Sequence, residues 1–243
     1  MRVIATYNIK GGVGKTSTAV NLAYLSARDG ARTLLWDLDP QGAATFIFRI
    51  KPRVKGGGKG LVRGKSSLED AIKGTDFDDL ELLPADFSYR NLDLLLDVRK
   101  KPIAVLRQLL RPLSEDYDTV ILDCPPGISL VSESVMFAAD TLLIPLIPAT
   151  LSLRTFDQLT DFVTGIEDRP PSLAAFFSMV DGRKRLHRDV VAALTAQRGD
   201  LLQTIIPAAS VIEPMAERRA PVPVFAARSA AAAAYESLWA ELR

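Results

Sequence analysis

A glycine-rich run of eight residues, Lys10-Gly11-Gly12-Val13-Gly14-Lys15-Thr16-Ser17, lies between the strand candidate Arg2–Asn8 and the helix candidate Thr16–Asp29. We call this run the octet. Glycines let successive backbone N–H groups converge on phosphate oxygens, because a Cβ would block the approach. The helix that follows adds a positive partial charge at its N-terminus. The octet therefore predicts a loop that binds the phosphates of a nucleotide. The alternative is a glycine turn that serves only strand–helix packing.

Three side chains of the octet have predicted contacts. Lys15 is placed to bridge the β- and γ-phosphates, Thr16 offers its hydroxyl to Mg²⁺, and Ser17 can reach the α-phosphate. The backbone of the loop supplies the remaining contacts. The predicted nucleotide-binding residues are Gly11, Gly12, Val13, Gly14, Lys15, Thr16 and Ser17.

The whole chain alternates between strand-like apolar runs and helical periodicity, which is typical of βαβ units. Several strand candidates are apolar on both faces, as in a sheet that helices cover on each side. We therefore predict one P-loop NTPase domain over residues 1–243, of class α/β, with a doubly wound, mainly parallel sheet and helices on both faces. The predicted strands are Arg2–Asn8, Arg32–Leu38, Asp79–Leu83, Thr119–Cys124, Thr141–Ile147, Leu173–Val180 and Leu201–Ile206. The predicted helices are Thr16–Asp29, Leu68–Ile72, Tyr89–Val98, Pro102–Leu110, Leu130–Ala138, Arg154–Ile166, Lys184–Arg198 and Ser229–Leu242.

Composition excludes several other classes of protein. Of 243 residues, 48% are hydrophobic and 24% are charged, which is typical of a folded globular chain. The single cysteine, Cys124, excludes metal sites built from several thiolates of one chain, and we expect it to be buried and chemically inactive. No apolar run reaches 18 residues and no signal-like core opens the sequence, so we expect a cytoplasmic protein.

Acidic residues end two further strand candidates. Asp37 and Asp39 lie in the run Trp36-Asp37-Leu38-Asp39-Pro40-Gln41-Gly42, and Asp123 closes an apolar strand. Ligands of open parallel sheets bind beyond the carboxyl ends of the strands, so these acids are expected to face the same crevice as the octet. A carboxylate in an apolar strand needs compensation, and a water on Mg²⁺ is a natural partner for Asp123. For Asp37 and Asp39 the alternative is a solvated surface turn.

These segments together resemble the ParA/MinD family of P-loop ATPases. The octet departs from a generic phosphate loop because Ile9 stands where glycine is usual and Lys10 lies inside the loop, and the family carries the same early lysine. The family also carries the Asp-x-Asp-Pro-Gln-Gly run as its first switch. The run Asp123-Cys124-Pro125-Pro126-Gly127 resembles its Walker B segment and second switch. The resemblance covers nearly the whole chain.

The resemblance implies roles for particular residues. Lys10 would reach across an ATP-bound homodimer to the partner's phosphates, Asp39 would orient the attacking water, and Asp37 would support the Mg²⁺ shell. Pro207 would contact the adenine base, although turn geometry alone is an alternative reason for a proline there. The implied catalytic residues are thus Lys10, Lys15 and Asp39, and the implied metal-site residues are Thr16, Asp37, Asp39 and Asp123.

Among its relatives the chain is similar to small ParA-type proteins. This similarity implies slow, partner-stimulated ATP hydrolysis, ATP-dependent nonspecific binding to nucleoid DNA, and positioning of a cargo through a ParB-like adaptor. The cargo would be a plasmid or chromosome centromere, or a protein organelle or cluster. Two alternatives are a MinD-like ATPase at a membrane surface and a metabolic P-loop phosphotransferase. The apolar stripe Tyr235, Leu238, Trp239 and Leu242 is interpreted as a core helix, so no stable membrane association is expected.

Two basic stretches are candidates for contact with DNA phosphates, which requires only cations on one face. For both, the alternative is a solvated charged surface. Residues 49–66 are interpreted as a basic, glycine-rich insertion that is mobile and unpacked, with seven cations and no acid between Arg49 and Lys65. The other candidates are Arg183, Lys184, Arg185 and Arg188, with Arg218, Arg219 and Arg228 further on.

Overall fold

The fold is taken from a computed structural model that describes residues 1–166, 169–198 and 201–243. Its described residues form one eight-stranded sheet with the order β3-β4-β2-β5-β1-β6-β7-β8. The strands are β1 (Arg2–Thr6), β2 (Thr33–Asp37), β3 (Lys73–Gly74), β4 (Leu80–Leu83), β5 (Thr119–Asp123), β6 (Thr141–Leu146), β7 (Ser172–Val180) and β8 (Leu201–Pro207). Every neighbouring pair is parallel except the antiparallel pair β3–β4. The predicted doubly wound, mainly parallel α/β sheet is confirmed.

Helices cover both faces of this sheet. The helices of the described residues are α1 (Lys15–Arg28), α2 (Ala43–Ile47), α3 (Gly57–Val62), α4 (Leu92–Asp97), α5 (Val105–Leu110), α6 (Leu130–Ala138), α7 (Thr150–Thr164), α8 (Arg185–Gln197), α9 (Met215–Arg218), α10 (Val222–Phe225) and α11 (Ala230–Leu242). Short 3-10 turns span Phe87–Asn91, Pro102–Ala104 and Arg111–Glu115.

The core has two layers because successive strand residues point to opposite faces. In β1, Val3 and Ala5 pack with the side that carries α3 to α8, whereas Ile4 packs with the side that carries α1, α2 and α9 to α11. Both layers are apolar, which explains why the central strands read as continuous hydrophobic runs.

Most predicted elements are present, with ends shifted by a few residues, but Leu68–Ile72 is not a helix. It forms a turn in which the Glu69 N–H donates to Ser67 Oγ at 3.1 Å, rather than a capped helix beginning at Ser66. Strand β3 begins at Lys73, and a five-residue segment is too short to sustain a helix without strong packing. The sequence reasoning also missed β3 and the short helices α2, α3, α9 and α10.

Residues 49–66 are not an unpacked insertion. Helix α3 lies within them, and Val54, Leu61 and Val62 are buried in the core on the α4 side of the sheet. The glycines that suggested a loose segment instead allow close packing, because Gly58 and Gly60 are themselves buried. The prediction that this segment does not pack is therefore wrong.

The C-terminal helix α11 is a core helix, as predicted from its apolar stripe. Tyr235, Leu238, Trp239 and Leu242 are all buried against α1 and β8. Its N-terminus is capped by Ser229, whose side chain accepts a hydrogen bond from Ala232 N at 3.1 Å. In the described part of the chain, no helix has both the length and the apolar character needed to cross a membrane.

Candidate active site

The three predicted site segments meet at one edge of the sheet. The octet follows β1, Asp37 ends β2 and Asp123 ends β5, and these strands are neighbours at the centre of the sheet. The strand register pairs Asp123 with Thr6 on one side and with Asp37 on the other. The two acids and the octet therefore lie at the carboxyl ends of adjacent parallel strands, as the sequence predicted.

Backbone geometry explains the glycines of the octet. Gly12 has φ +70° and Gly14 has φ +94°, a left-handed region that side chains rarely adopt. A Cβ on Gly14 would also lie 2.9 Å from Ser178 Oγ, which follows from the close approach of β7. Thr18 Oγ1 donates to the Gly14 carbonyl at 2.7 Å and fixes the start of α1. The glycine conformations and the Thr18–Gly14 hydrogen bond therefore shape the loop. Its backbone N–H groups lie at the N-terminus of α1.

Lys15 is held inside the loop. Its Nζ donates to the Lys10 carbonyl at 2.9 Å, and the side chain is buried. Burial lowers the pKa of Lys15, and the charges of Asp123 and Asp39 oppose that shift. A phosphate would give this ammonium a charged acceptor, which is a stronger partner than a backbone carbonyl.

Asp123 is a buried carboxylate whose two oxygens have no hydrogen-bond partner among the described residues. Burial raises its pKa well above the ordinary value, and the neighbouring Asp37 carboxylate raises it further, whereas Thr16 and Lys15 lower it. An orphaned buried carboxylate of this kind fits a divalent cation, because a cation would compensate the desolvated charge. Thr16, at the head of α1, supplies a hydroxyl on the same side. Thr16 and Asp123 therefore fit a divalent cation such as Mg²⁺, which they would hold through their oxygen atoms.

Asp37 also accepts hydrogen bonds that hold the adjoining backbone, a structural role that the sequence did not predict. Its Oδ2 accepts from both Thr45 N and Thr45 Oγ1, and its Oδ1 accepts from Asp39 N at 3.2 Å. Burial raises the pKa of Asp37 to about 6. Asp37 therefore anchors α2 and the turn that carries Asp39, and its support of the Mg²⁺ shell stays a prediction.

A cavity of about 690 Å³ runs from the octet to the loop after β8. Asp39 and Pro126 line it near the octet, and Pro207 lines it at the far end, where the sequence analysis placed the base. A cavity of this volume, lined by the octet at one end, is of the size that ligand-binding clefts have. Lining residues that the sequence reasoning missed include Ile47, Ser178, Met179, Ile212, Glu213 and Tyr235.

Met179 is the least expected of these lining residues. It adopts φ +56°, a left-handed conformation, beside a register irregularity between β7 and β8. Its side chain is 43% exposed. No local sequence signal predicts this geometry, although the rule that ligands bind at the carboxyl edge would have pointed to the end of β7.

Comparison with known proteins shows the family of this chain. The family model described as "AAA domain" matches residues 1–175. The chromosome partitioning protein ParA of Myxococcus xanthus is 32% identical over 212 residues, which cover 85% of this chain and 75% of that protein. The chromosome-partitioning ATPase Soj of Thermus thermophilus is 36% identical over 212 residues, covering 85% and 81%. This chain belongs to the ParA family of P-loop ATPases.

One solved structure is similar over the whole length of this ParA-type chain. It is described as cobyrinic acid a,c-diamide synthase from Mycobacterium smegmatis with a bound ATP analogue and magnesium. The TM-score is 0.85 at 28% identity, with 100% of this chain and 94% of that chain covered. The P-loop architecture of the ParA-type chain therefore extends beyond the segment that the family model matches.

Lys10 of the ParA-type octet is half-buried and holds the loop through its backbone. Lys10 N donates to Asn8 Oδ1 at 2.9 Å, and its carbonyl accepts from Lys15. Within the described chain its side chain makes no hydrogen bond or ion pair, so the ammonium is not committed to an internal partner. Its role toward a second protomer stays a prediction.

The predicted DNA-contacting arginines of the ParA-type chain do not form one cluster. The stretch around Arg183 precedes α8 on one side of the sheet, whereas Arg218 ends α9 on the other side. Arg219 stacks on the Phe46 ring at 4.1 Å and donates to the Phe46 carbonyl. Arg228 is exposed just before α11. A single protomer therefore presents these residues as at least two separate surfaces.

Proposed function

We propose that this chain is an ATP-switched positioning protein that dimerises with ATP, binds duplex DNA without sequence preference and moves or anchors a cargo through a ParB-like adaptor. The observation that carries the proposal is the buried, unpartnered carboxylate of Asp123 beside a phosphate loop that contains Lys10. This combination supports a nucleotide site. Binding of a nucleotide there would change the net charge around the two runs that resemble the family's switches, residues 37–42 and 123–127.

The chain is an ATP hydrolase and its cofactors are ATP and Mg²⁺. When bound, Mg²⁺ would neutralise negative charge on the nucleotide phosphates. Thr16 and Asp123 would hold it. With ATP bound, Lys15 Nζ would donate to phosphate oxygens instead of to the Lys10 carbonyl. Asp39 is half-buried at the cavity wall, where it would orient the water that attacks the phosphate.

Dimerisation is inferred from the uncommitted ammonium of Lys10. A lysine inside a phosphate loop that has no internal partner is available to the phosphates of a second protomer. In this arrangement each active site is complete only when two ATP-bound chains face each other. Turnover by the isolated monomer would then be slow.

Nonspecific DNA binding is inferred from exposed cations, since phosphate contacts need no base-reading geometry. The Arg183 and Arg185 side chains are 91% and 87% exposed. The other cations of the proposed interface are Lys184, Arg188, Arg218 and Arg228, which are exposed, and Arg219, which is half-buried. DNA binding would place the protein on the nucleoid, in the cytoplasm.

The MinD-like alternative receives no support from the C-terminus. The stripe that would insert into a membrane surface, including Leu238 and Trp239, is buried in the core. A membrane anchor at α11 would have to leave the core and expose this surface to water.

The deciding experiment measures retention of a random-sequence duplex by the wild-type protein with Mg²⁺ and ATP, ADP or no nucleotide. We expect retention with ATP that is lost with ADP and at high salt. Lys15→Ala is the control, because it should lose both nucleotide and DNA binding. Absence of retention at low salt, together with vesicle binding or phosphate transfer to a small-molecule acceptor, would replace the proposal with the membrane or metabolic alternative.

A further inference from the structure

Six cations between residues 51 and 65 are exposed and form no ion pair among the described residues. We call this group the basic face; it consists of Lys51, Arg53, Lys55, Lys59, Arg63 and Lys65. All six are exposed, and within the described chain none has an ion pair with a carboxylate within 4.0 Å. Arg49, just before them, is paired with Asp76 at 2.6 Å. The basic face therefore concentrates positive charge that no ion pair among the described residues neutralises, with Asp86 as an electrostatic neighbour of Arg53.

The backbone beneath the basic face is fastened to residues 86–92. Val54 N donates to Asp86 Oδ2 at 2.9 Å, and Gly58 N donates to Ser88 Oγ at 2.8 Å. A Cβ on Gly57 would lie 2.5 Å from Ser88 Oγ, at a backbone φ of +56°. Glycine is thus required for the backbone to lie this close to its neighbour. The buried side of the segment is fixed, so its exposed cations are held at the surface above it.

The contrast with the arginines before α8 is informative. Arg183 forms a fork with Asp181, with Nε–Oδ1 at 2.9 Å, and Arg185 lies 3.4 Å from Asp189. Arg188 donates to the Gly182 carbonyl at 2.8 Å. These cations would have to share or break internal contacts to bind phosphate, whereas those of the basic face would not.

The chemistry of the basic face also identifies its ligand. Its apolar residues, Val54, Leu61 and Val62, are buried, so the segment offers nothing to insert into a bilayer. It contains no aromatic side chain on which an unpaired base could stack. Lys59 and Arg63 are four residues apart at α3 and project from neighbouring positions on the helix surface. A group of exposed cations without stacking or inserting side chains fits the phosphates of a duplex.

We propose that the basic face contacts the phosphate backbone of duplex DNA and supplies most of the salt-dependent affinity of the protein. The inference rests on the proposed function, since it assumes that the ATP-bound form meets DNA. The segment follows α2, at the carboxyl edge of β2, and so lies on the same edge of the sheet as the nucleotide cavity. It therefore adds a phosphate-binding surface beyond the arginines already considered.

The test compares the salt dependence of duplex retention, with ATP and Mg²⁺, between the wild type and a quadruple variant: Lys55→Ala, Lys59→Ala, Arg63→Ala and Lys65→Ala. Each lost phosphate contact should reduce the slope of log affinity against log salt by about 0.9. The matched control removes four exposed cations elsewhere: Lys73→Ala, Arg99→Ala, Lys100→Ala and Lys101→Ala. The slope of the control variant should lie within about 0.9 of the wild-type slope, which corresponds to one phosphate contact. Both variants should bind ATP as the wild type does.

A charge-preserving variant, Gly57→Ala, separates geometry from net charge. Its Cβ would push the segment away from Ser88, so we expect weaker DNA retention with unchanged ATP binding. An equal fall in slope for the quadruple variant and its control would overturn the inference, because it would show that the net charge of the protein sets the salt dependence. Wild-type slope in the quadruple variant would overturn it while leaving the proposed function intact, whereas absence of DNA retention by the wild type would overturn both. Binding of the wild type to anionic vesicles with no binding to duplex would assign the basic face to a membrane and also reject the inference.

Discussion

Asp37 and Thr45 are joined by two hydrogen bonds, from Thr45 N at 2.8 Å and from Thr45 Oγ1 at 2.7 Å, both to the same carboxylate oxygen. The Thr45 hydroxyl also accepts from Ala85 N at 2.9 Å. One side chain therefore connects the end of β2, the helix α2 and the segment after β4. This connection lies directly beside the nucleotide site and fixes the turn on which Asp39 stands.

Thr45→Val should lower the free energy of unfolding by about 1–3 kcal/mol. The change keeps the shape of the side chain but leaves Ala85 N and one Asp37 lone pair without a partner in a buried place. Chemical denaturation measures the effect. Thr160→Val, on α7, is the control, and we expect its change to stay within about 0.5 kcal/mol. Equal stability of the two variants would show that the buried connection contributes little.

Lys15→Ala should weaken ATP binding by at least about 10-fold, because a hydrogen bond from a charged group contributes about 1.5–3 kcal/mol. Isothermal titration with ATP and Mg²⁺ measures this. The variant should remain folded, since among the described residues Lys15 Nζ donates only to the Lys10 carbonyl. An affinity equal to that of the wild type would reject the role of the octet.

Lys10→Ala should bind ATP but remain monomeric or lose hydrolysis, because the backbone contacts of residue 10 are preserved and only the uncommitted ammonium is removed. Light scattering with ATP reports the mass, and phosphate release reports turnover. A variant that is dimeric with full turnover would contradict a role across the interface.

Asp39→Ala should bind ATP with unchanged affinity and hydrolyse it at least about 10²-fold more slowly, the usual effect of losing a group that acts on the attacking water. The variant is expected to accumulate as the ATP-bound dimer. Asp78→Ala removes an exposed carboxylate far from the cavity and should retain wild-type turnover. A rate for Asp39→Ala that matches this control would remove Asp39 from the reaction.

The Arg32–Asp118 pair predicts a small pH dependence. Arg32 donates to both carboxylate oxygens, and this lowers the pKa of Asp118 to about 2. Because the folded pKa lies below the unfolded one, the pair contributes stability above about pH 4, and that contribution is lost as the pH falls through about 2. Carbon-detected NMR of the carboxyl group measures the titration. In Arg32→Gln the Asp118 pKa should move back toward its ordinary value.

The positions of the octet, Asp37, Asp39 and Asp123 could be predicted because each depends on a local pattern at the end of a strand. Parallel pairing then brings those ends together without further information. Pro207 lies in the same cavity for the same reason. The bond between Asp37 and Thr45 could not be predicted in this way, since it depends on where a five-residue helix folds back.

Residues 49–66 illustrate the limit of local patterns. Glycine there indicated flexibility, but Gly57 and Gly58 are needed for contact with Ser88 and Leu92, which lie some thirty residues further along the chain. Met179 gives a second example, because its left-handed backbone arises from the irregular pairing of β7 with β8. Both features depend on partners that are remote in sequence.

The site is assembled from the ends of β2, β5 and β1, and β5 lies between the other two although it comes about eighty residues after β2 in the chain. A partly folded chain that lacks β5 therefore has a phosphate loop but no Asp123 to complete it. The nucleotide is therefore expected to bind only the chain in which the sheet is complete. A ligand that binds only the native state raises the stability of that state by mass action. At a free nucleotide concentration about 100 times the dissociation constant this gain is about 2.7 kcal/mol, so bound nucleotide would stabilise the folded chain by that amount.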